Sequence, residues 1–128
     1  MGLGTPSPAV VDHSLFRFVT ALEIRKASRL QYPICVLTIQ FGPGAGDLRR
    51  TGESIRRLVR CTDLIAYQAS GTGLQLLLID AAPHDADVVI ARLKEDLPRA
   101  EALDYRVRSY PSTASSIEEL LIEREGSP

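Results

Sequence analysis

Residues 67–80 read YQASGTGLQLLLID. A small glycine-bearing turn, SGTG, leads directly into a run of leucines. Such a turn can cradle a phosphate where a strand opens into a helix, or it can close a corner between two strands. Apolar runs flank it on both sides, DLIAYQA (63–69) before and LQLLLID (74–80) after. That spacing predicts two strands joined as a hairpin.

Working outward, YPICVLTIQF (32–41) is β-branched and apolar, with Pro33 at its start, where a missing N–H does least harm. It predicts a buried strand. Asp12 is placed to N-cap a helix running to about Leu30. Leu15, Phe18, Val19 and Leu22 follow helical spacing and are expected to face the core, with Arg17, Arg25, Lys26 and Arg29 on the other sides. GPGAGD (42–47) reads as a loop, followed by a helix over about 48–60 whose buried stripe is Leu48, Ile55, Leu58 and Val59. Pro83 suits a first helical turn, and Asp85 and Asp87 favour the positive end of the helix dipole. Ala86, Val89, Ile90, Leu93 and Leu97 line one face of that helix until Pro98 stops it. DYRVRSY (104–110) alternates as a half-exposed strand, and Ser115 with Glu118 forms a capping-box pattern for a last helix, SIEELLIERE.

The expected organisation is a flexible, Gly- and Pro-rich lead-in over 1–11, a single domain over 12–125 and a short tail over 126–128. The element order predicts an α/β (α+β) fold on a ferredoxin-like core: a central, mostly antiparallel sheet with helices packed on one face.

Composition narrows the function classes. A chain of 128 residues, 45% hydrophobic and 24% charged, is one ordinary globular domain by length and content. A net charge of −1 gives no whole-protein argument for nucleic acid or for an anionic membrane. No apolar run approaches the roughly 20 residues that span a bilayer. MGLGTPSPAVVD lacks the basic region and apolar stretch of a secretion signal, so a reducing, cytoplasmic setting is expected. Cys35 and Cys61 read as small core residues rather than a metal pair. His13 and His84 stand alone near helix starts with no repeated ligand spacing. No metal site and no cofactor are expected. The arginines of LRRTGESIRRLVR (48–60) read as a solvated helix face, since no aromatic residues are interleaved to stack bases.

Three stretches, taken in order, carry a family resemblance. FRFVTALEIRKASRLQYPICVLTI (16–39), IRRLVRCTDLIAYQASGTGLQLLLIDAAPHDADVVIARLKEDL (55–97) and SYPSTASSIEELL (109–121) together resemble the GGDEF, or diguanylate cyclase, domain over about residues 12–122. The resemblance implies a nucleotide-cyclase-like palm and a place in bacterial signalling. In that family the hairpin turn carries Gly-Gly-Asp/Glu-Glu-Phe, whose acid helps to bind a divalent metal. The matching residues here are Ser70, Gly71, Thr72, Gly73 and Leu74, and none is a carboxylate. The family also places a metal-binding aspartate near the end of its first strand, where this chain has Thr38, Ile39 and Gln40. The nucleotide-contacting segment that follows is shortened, with Gly46-Asp47 as its remnant. Metal-assisted attack of a ribose hydroxyl on a phosphate needs hard oxygen ligands.

The resemblance therefore implies a catalytically inactive domain with no catalytic residues, serving as a regulatory or protein-interaction module. Its protein partner is not legible, and a homodimer is one expectation, since the parent reaction brings two domains face to face. One motif points elsewhere. Arg60-Cys61-Thr62-Asp63 fits the family's Arg-x-x-Asp inhibitory site, which implies a cyclic di-GMP receptor in which the guanidinium meets guanine or phosphate and the carboxylate accepts from guanine N–H groups. The structural alternative is that Arg60 ends a helix and Asp63 opens a strand.

Overall fold

The computed structural model describes residues 9–42, 48–57, 63–68, 73–96 and 103–121. At its centre β2 (Ile34–Phe41) and β4 (Gly73–Ile79) run antiparallel, in register from Ile34 opposite Ile79 to Gln40 opposite Gly73. Every residue from Ile34 to Ile39 and from Gly73 to Leu78 is buried. A strand buried on alternate residues needs one covering layer, whereas a strand buried throughout needs two. Beside this pair lie β5 (Leu103–Tyr110), antiparallel to β2, and β3 (Leu64–Tyr67), antiparallel to β4. A short β1 (Ala9–Val11) runs parallel to β3, giving the order β1-β3-β4-β2-β5.

Helices cover both faces, which corrects the one-faced arrangement expected from the element order. Cys35, Leu37, Ile39, Leu74, Leu76 and Leu78 project to one side, against Ile55 of α2 (Leu48–Arg56) and Ala86 and Leu93 of α3 (Pro83–Asp96). Ile34, Val36, Ala66 and Leu77 project to the other, against Phe16 and Ala27 of α1 (His13–Leu30) and Leu120 of α4 (Ile117–Leu120). Burying each large aliphatic side chain contributes about 1.5–3 kcal/mol, and the doubly covered strand pair supplies seven of the twelve largest fully buried side chains among the described residues. Cys35 is a buried free thiol that donates to Ala81 O at 3.1 Å, and burial pushes its pKa up. It behaves as the small core residue expected.

Local signals decide the helix ends. Asp12 Oδ1 accepts from the Leu15 N–H at 2.8 Å and caps α1. At the other end Gln31 takes the left-handed conformation (φ 61°) and returns its N–H to Ala27 O. Asp85 Oδ2 accepts from the Ala82 N–H at 2.8 Å, fixing the start of α3. The cap of α4 is Ser116 rather than Ser115: its side chain accepts from the Glu119 N–H, while Glu119 Oε1 receives the Ser115 N–H and hydroxyl. Those Ser115 bonds hold the Glu119 carboxyl below the usual carboxylate range.

Two further expectations are corrected. Ala9–Val11 is not part of a free lead-in, because its register with Leu64–Ala66 adds a strand to the sheet edge. In α1 the inward residues are Phe16, Thr20, Glu23 and Ala27, while Leu15, Phe18 and Leu22 face outward. The inward polar groups are satisfied locally. Thr20 Oγ1 donates to Phe16 O at 2.8 Å, and Glu23 accepts from the Tyr32 hydroxyl at 2.9 Å and pairs with Lys26 at 3.0 Å. Leu48's side chain, Leu58, Val59, Leu97 and Pro98 lie outside the described residues. Among the described residues no helix is long and apolar enough to cross a membrane.

The Tyr32–Glu23 contact ties the end of α1 to the start of β2. Burial, and then the bond to Glu23, push the Tyr32 hydroxyl up from 10.0 to about 12. A folded pKa above the unfolded one stabilises the fold below the unfolded value, and that contribution is lost as pH rises through the folded value. The stability advantage of the wild type over Tyr32→Phe, measured by urea unfolding, is expected in full below pH 10 and to fall away towards pH 12.

Candidate functional site

The register of β2 on β4 sets the end of β2, where the resemblance puts a metal-binding aspartate, beside the start of β4, which follows the signature turn. Thr38 lies opposite Gln75, Ile39 opposite Leu74 and Gln40 opposite Gly73. Four of the side chains there, those of Thr38, Ile39, Leu74 and Gln75, are committed to the fold. Ile39 and Leu74 are in the core. Thr38 Oγ1 accepts from Gln75 Nε2 at 3.1 Å, and Gln75 Nε2 also reaches Leu121 O at 3.4 Å. Gln75 Oε1 lies 3.2 Å from His13 Nε2. This buried amide thus links β4 to β2, α1 and the end of α4, a knot that the sequence pattern did not reveal. Across from Gln40 on β5 stands Asp104, exposed and paired with Arg106 at 3.3 Å. Among the described residues no three His, Cys, Asp or Glu gather where they could hold a metal ion.

The hairpin joins two antiparallel strands. Its last described pair is Gln68 with Gly73, where the Gln68 N–H donates to Gly73 O at 2.9 Å. Gly73 and Leu74 therefore belong to β4 rather than to the turn, while Ser70, Gly71 and Thr72 lie outside the described residues. Gly73 is needed for space. A Cβ there would run into the Ile39 carbonyl oxygen and Gln68 Oε1. Gln68 is itself buried, and among the described residues its side-chain amide has no hydrogen-bond partner. An apolar strand pattern ending in Gln68 and followed by a glycine five residues later was the available signal for this crowding.

Of the Arg60–Asp63 pair, Arg60 lies outside the described residues. Asp63 is 3% exposed, and its Oδ1 accepts from the Ile79 N–H at 3.2 Å. The carboxylate thus continues the β3–β4 pairing beyond Leu64, holding a strand end by a side chain rather than by a backbone carbonyl. His84 sits on the exposed start of α3, 3.3 Å from Asp85.

These contacts carry definite costs. Asp63→Ala strips an acceptor from Ile79 and should destabilise by about 1–3 kcal/mol, read as a lower urea midpoint at unchanged slope. Gly73→Ala should cost about 1–3 kcal/mol through overpacking against a backbone carbonyl that cannot retreat. Unchanged midpoints for both would show that neither residue is held as described.

No protein-family model matches the chain, and no curated protein matches it. Solved structures do. The GGDEF domain of TpbB (YfiN) from Pseudomonas aeruginosa superposes with a TM-score of 0.73 at 22% identity, covering 87% of this chain and 83% of that one. A second structure of that GGDEF domain, in a truncated mutant, gives a TM-score of 0.68 at 22% identity over 88% of this chain and 78% of that one. A diguanylate cyclase (DGC) protein from Thermotoga maritima gives a TM-score of 0.72 at 16% identity, covering 87% of this chain and 89% of that one. This chain has the fold of a GGDEF domain.

Proposed function

We propose that the protein is a non-catalytic GGDEF-fold domain that serves as a regulatory or protein-interaction module in bacterial signalling. The observation that carries this reading is the β2–β4 register. Where catalysis by this fold would need carboxylates to grip a divalent cation, the paired positions are Thr38–Gln75, Ile39–Leu74 and Gln40–Gly73. Hydroxyl and amide groups lack the charge to hold Mg²⁺ against its water shell, and two of these groups bond to each other. Incubation with GTP and Mg²⁺ or Mn²⁺, followed by ion-exchange chromatography, is expected to return unchanged GTP. Accumulation of a guanylyl-transfer product would overturn the reading.

The receptor reading, in which Arg60 and Asp63 bind cyclic di-GMP, is less well supported by the geometry. A carboxylate 3% exposed and turned to the Ile79 N–H offers little to a ligand. Calorimetric titration with cyclic di-GMP is expected to give no heat at high micromolar ligand. Heat that is abolished by Arg60→Ala would establish the receptor instead.

A further inference from the structure

Helix α1 turns a single seam outward, with Leu15, Phe18, Leu22, Arg25 and Arg29 spaced alternately three and four residues apart. This spacing is the one by which a second helix packs knobs into holes along a first. Leu15, Phe18 and Leu22 are 45%, 61% and 41% exposed, respectively. Among the described residues the fold uses other sides of the helix. Phe16, Thr20, Glu23 and Ala27 face the sheet, and Arg17 reaches Glu118 of α4 at 2.9 Å. Arg25 and Arg29 are exposed, and neither makes an ion pair among the described residues. Ser14, Ala21 and Ser28 run alongside at seven-residue intervals, so small side chains leave room for close approach.

The two halves of the seam ask for different chemistry. Two turns of apolar surface are followed by two guanidinium groups, which match carboxylates by paired hydrogen bonds. We propose that this face docks a helix of a partner protein, apolar along one half of its contact seam and bearing Asp or Glu along the other. Those carboxylates meet Arg25 and Arg29 while leucine-like side chains cover Phe18. The inference names a partner class for the interaction module and rests on that reading, but GTP turnover tests the module and a peptide titration tests the seam.

A second copy of this chain fits less well. A parallel pair stacks Arg25 on Arg25 and Arg29 on Arg29. An antiparallel pair centred on Phe18 sets Arg25 against the positive end of the other helix, where Asp12 is already occupied with the Leu15 N–H.

The test uses the whole chain and two labelled, designed helical peptides of about 20 residues, one with the acidic half-seam and one with lysines in its place. Fluorescence anisotropy should show binding of the acidic peptide alone. Phe18→Ser should weaken it about tenfold or more, as truncating a central aromatic anchor does. Arg25→Glu combined with Arg29→Glu should weaken it similarly, and circular dichroism would verify that both variants stay folded. Equal binding of the two peptides, no binding of the acidic one, or indifference to the variants overturns the proposal. So does light scattering that shows a dimer dissolved by Phe18→Ser, which would give the seam to a second copy.

Discussion

Between Ile34 and Ile39 on β2, and between Gly73 and Leu78 on β4, side chains pointing to either face of the sheet are kept from water. Double burial of neighbouring strands leaves the rest of the molecule few choices. Each face must receive helices, so α1 and α4 close one side and α2 and α3 the other. The polar residues caught in this zone must then bond among themselves, as Thr38 and Gln75 do. An open face on either side would expose a row of leucines and isoleucines.

Much of this was legible because short-range chemistry and tertiary packing agree. Asp12 caps α1 as its position before an apolar helix implies, and the β2 run is a strand because it is β-branched and continuous. The hairpin was readable from two apolar runs set around small residues. Disagreement arises where polar residues are buried with partners distant in sequence. The core-facing side of α1 includes Thr20 and Glu23, which look solvent-facing until the Phe16 carbonyl, Tyr32 and Lys26 are seen to satisfy them. The more hydrophobic stripe of Leu15, Phe18 and Leu22 then turns out to lie on the surface. Similarly, β1 has too few residues to show a period of two, and its existence depends on the edge that β3 offers.

The candidate site divides along the same line. That the end of β2 meets the start of β4 follows from the strand order and was implied by the family resemblance. The roles of the residues there follow from contacts across the sheet. Gln75 has three neighbours drawn from three different elements, and Asp63 serves a backbone N–H sixteen residues away. Both could pass for ligand-binding groups in a linear reading. In three dimensions both are buried polar groups that bond to other parts of the fold.

The crowding around Gly73 constrains the order in which substitutions can be made. Suppose an acid were to be placed at that position by single substitutions. The first side-chain atom added would press on Gln68 and on the Ile39 peptide group, so the step would be penalised before any cation could reward it. Shortening Gln68 beforehand would ease one obstruction and leave the main-chain one. The effect of a change at 73 is therefore contingent on what stands at 68, a form of epistasis between touching residues. The arrangement acts as a ratchet: a path to an acid at 73 runs uphill, and its steps cannot be taken in any order.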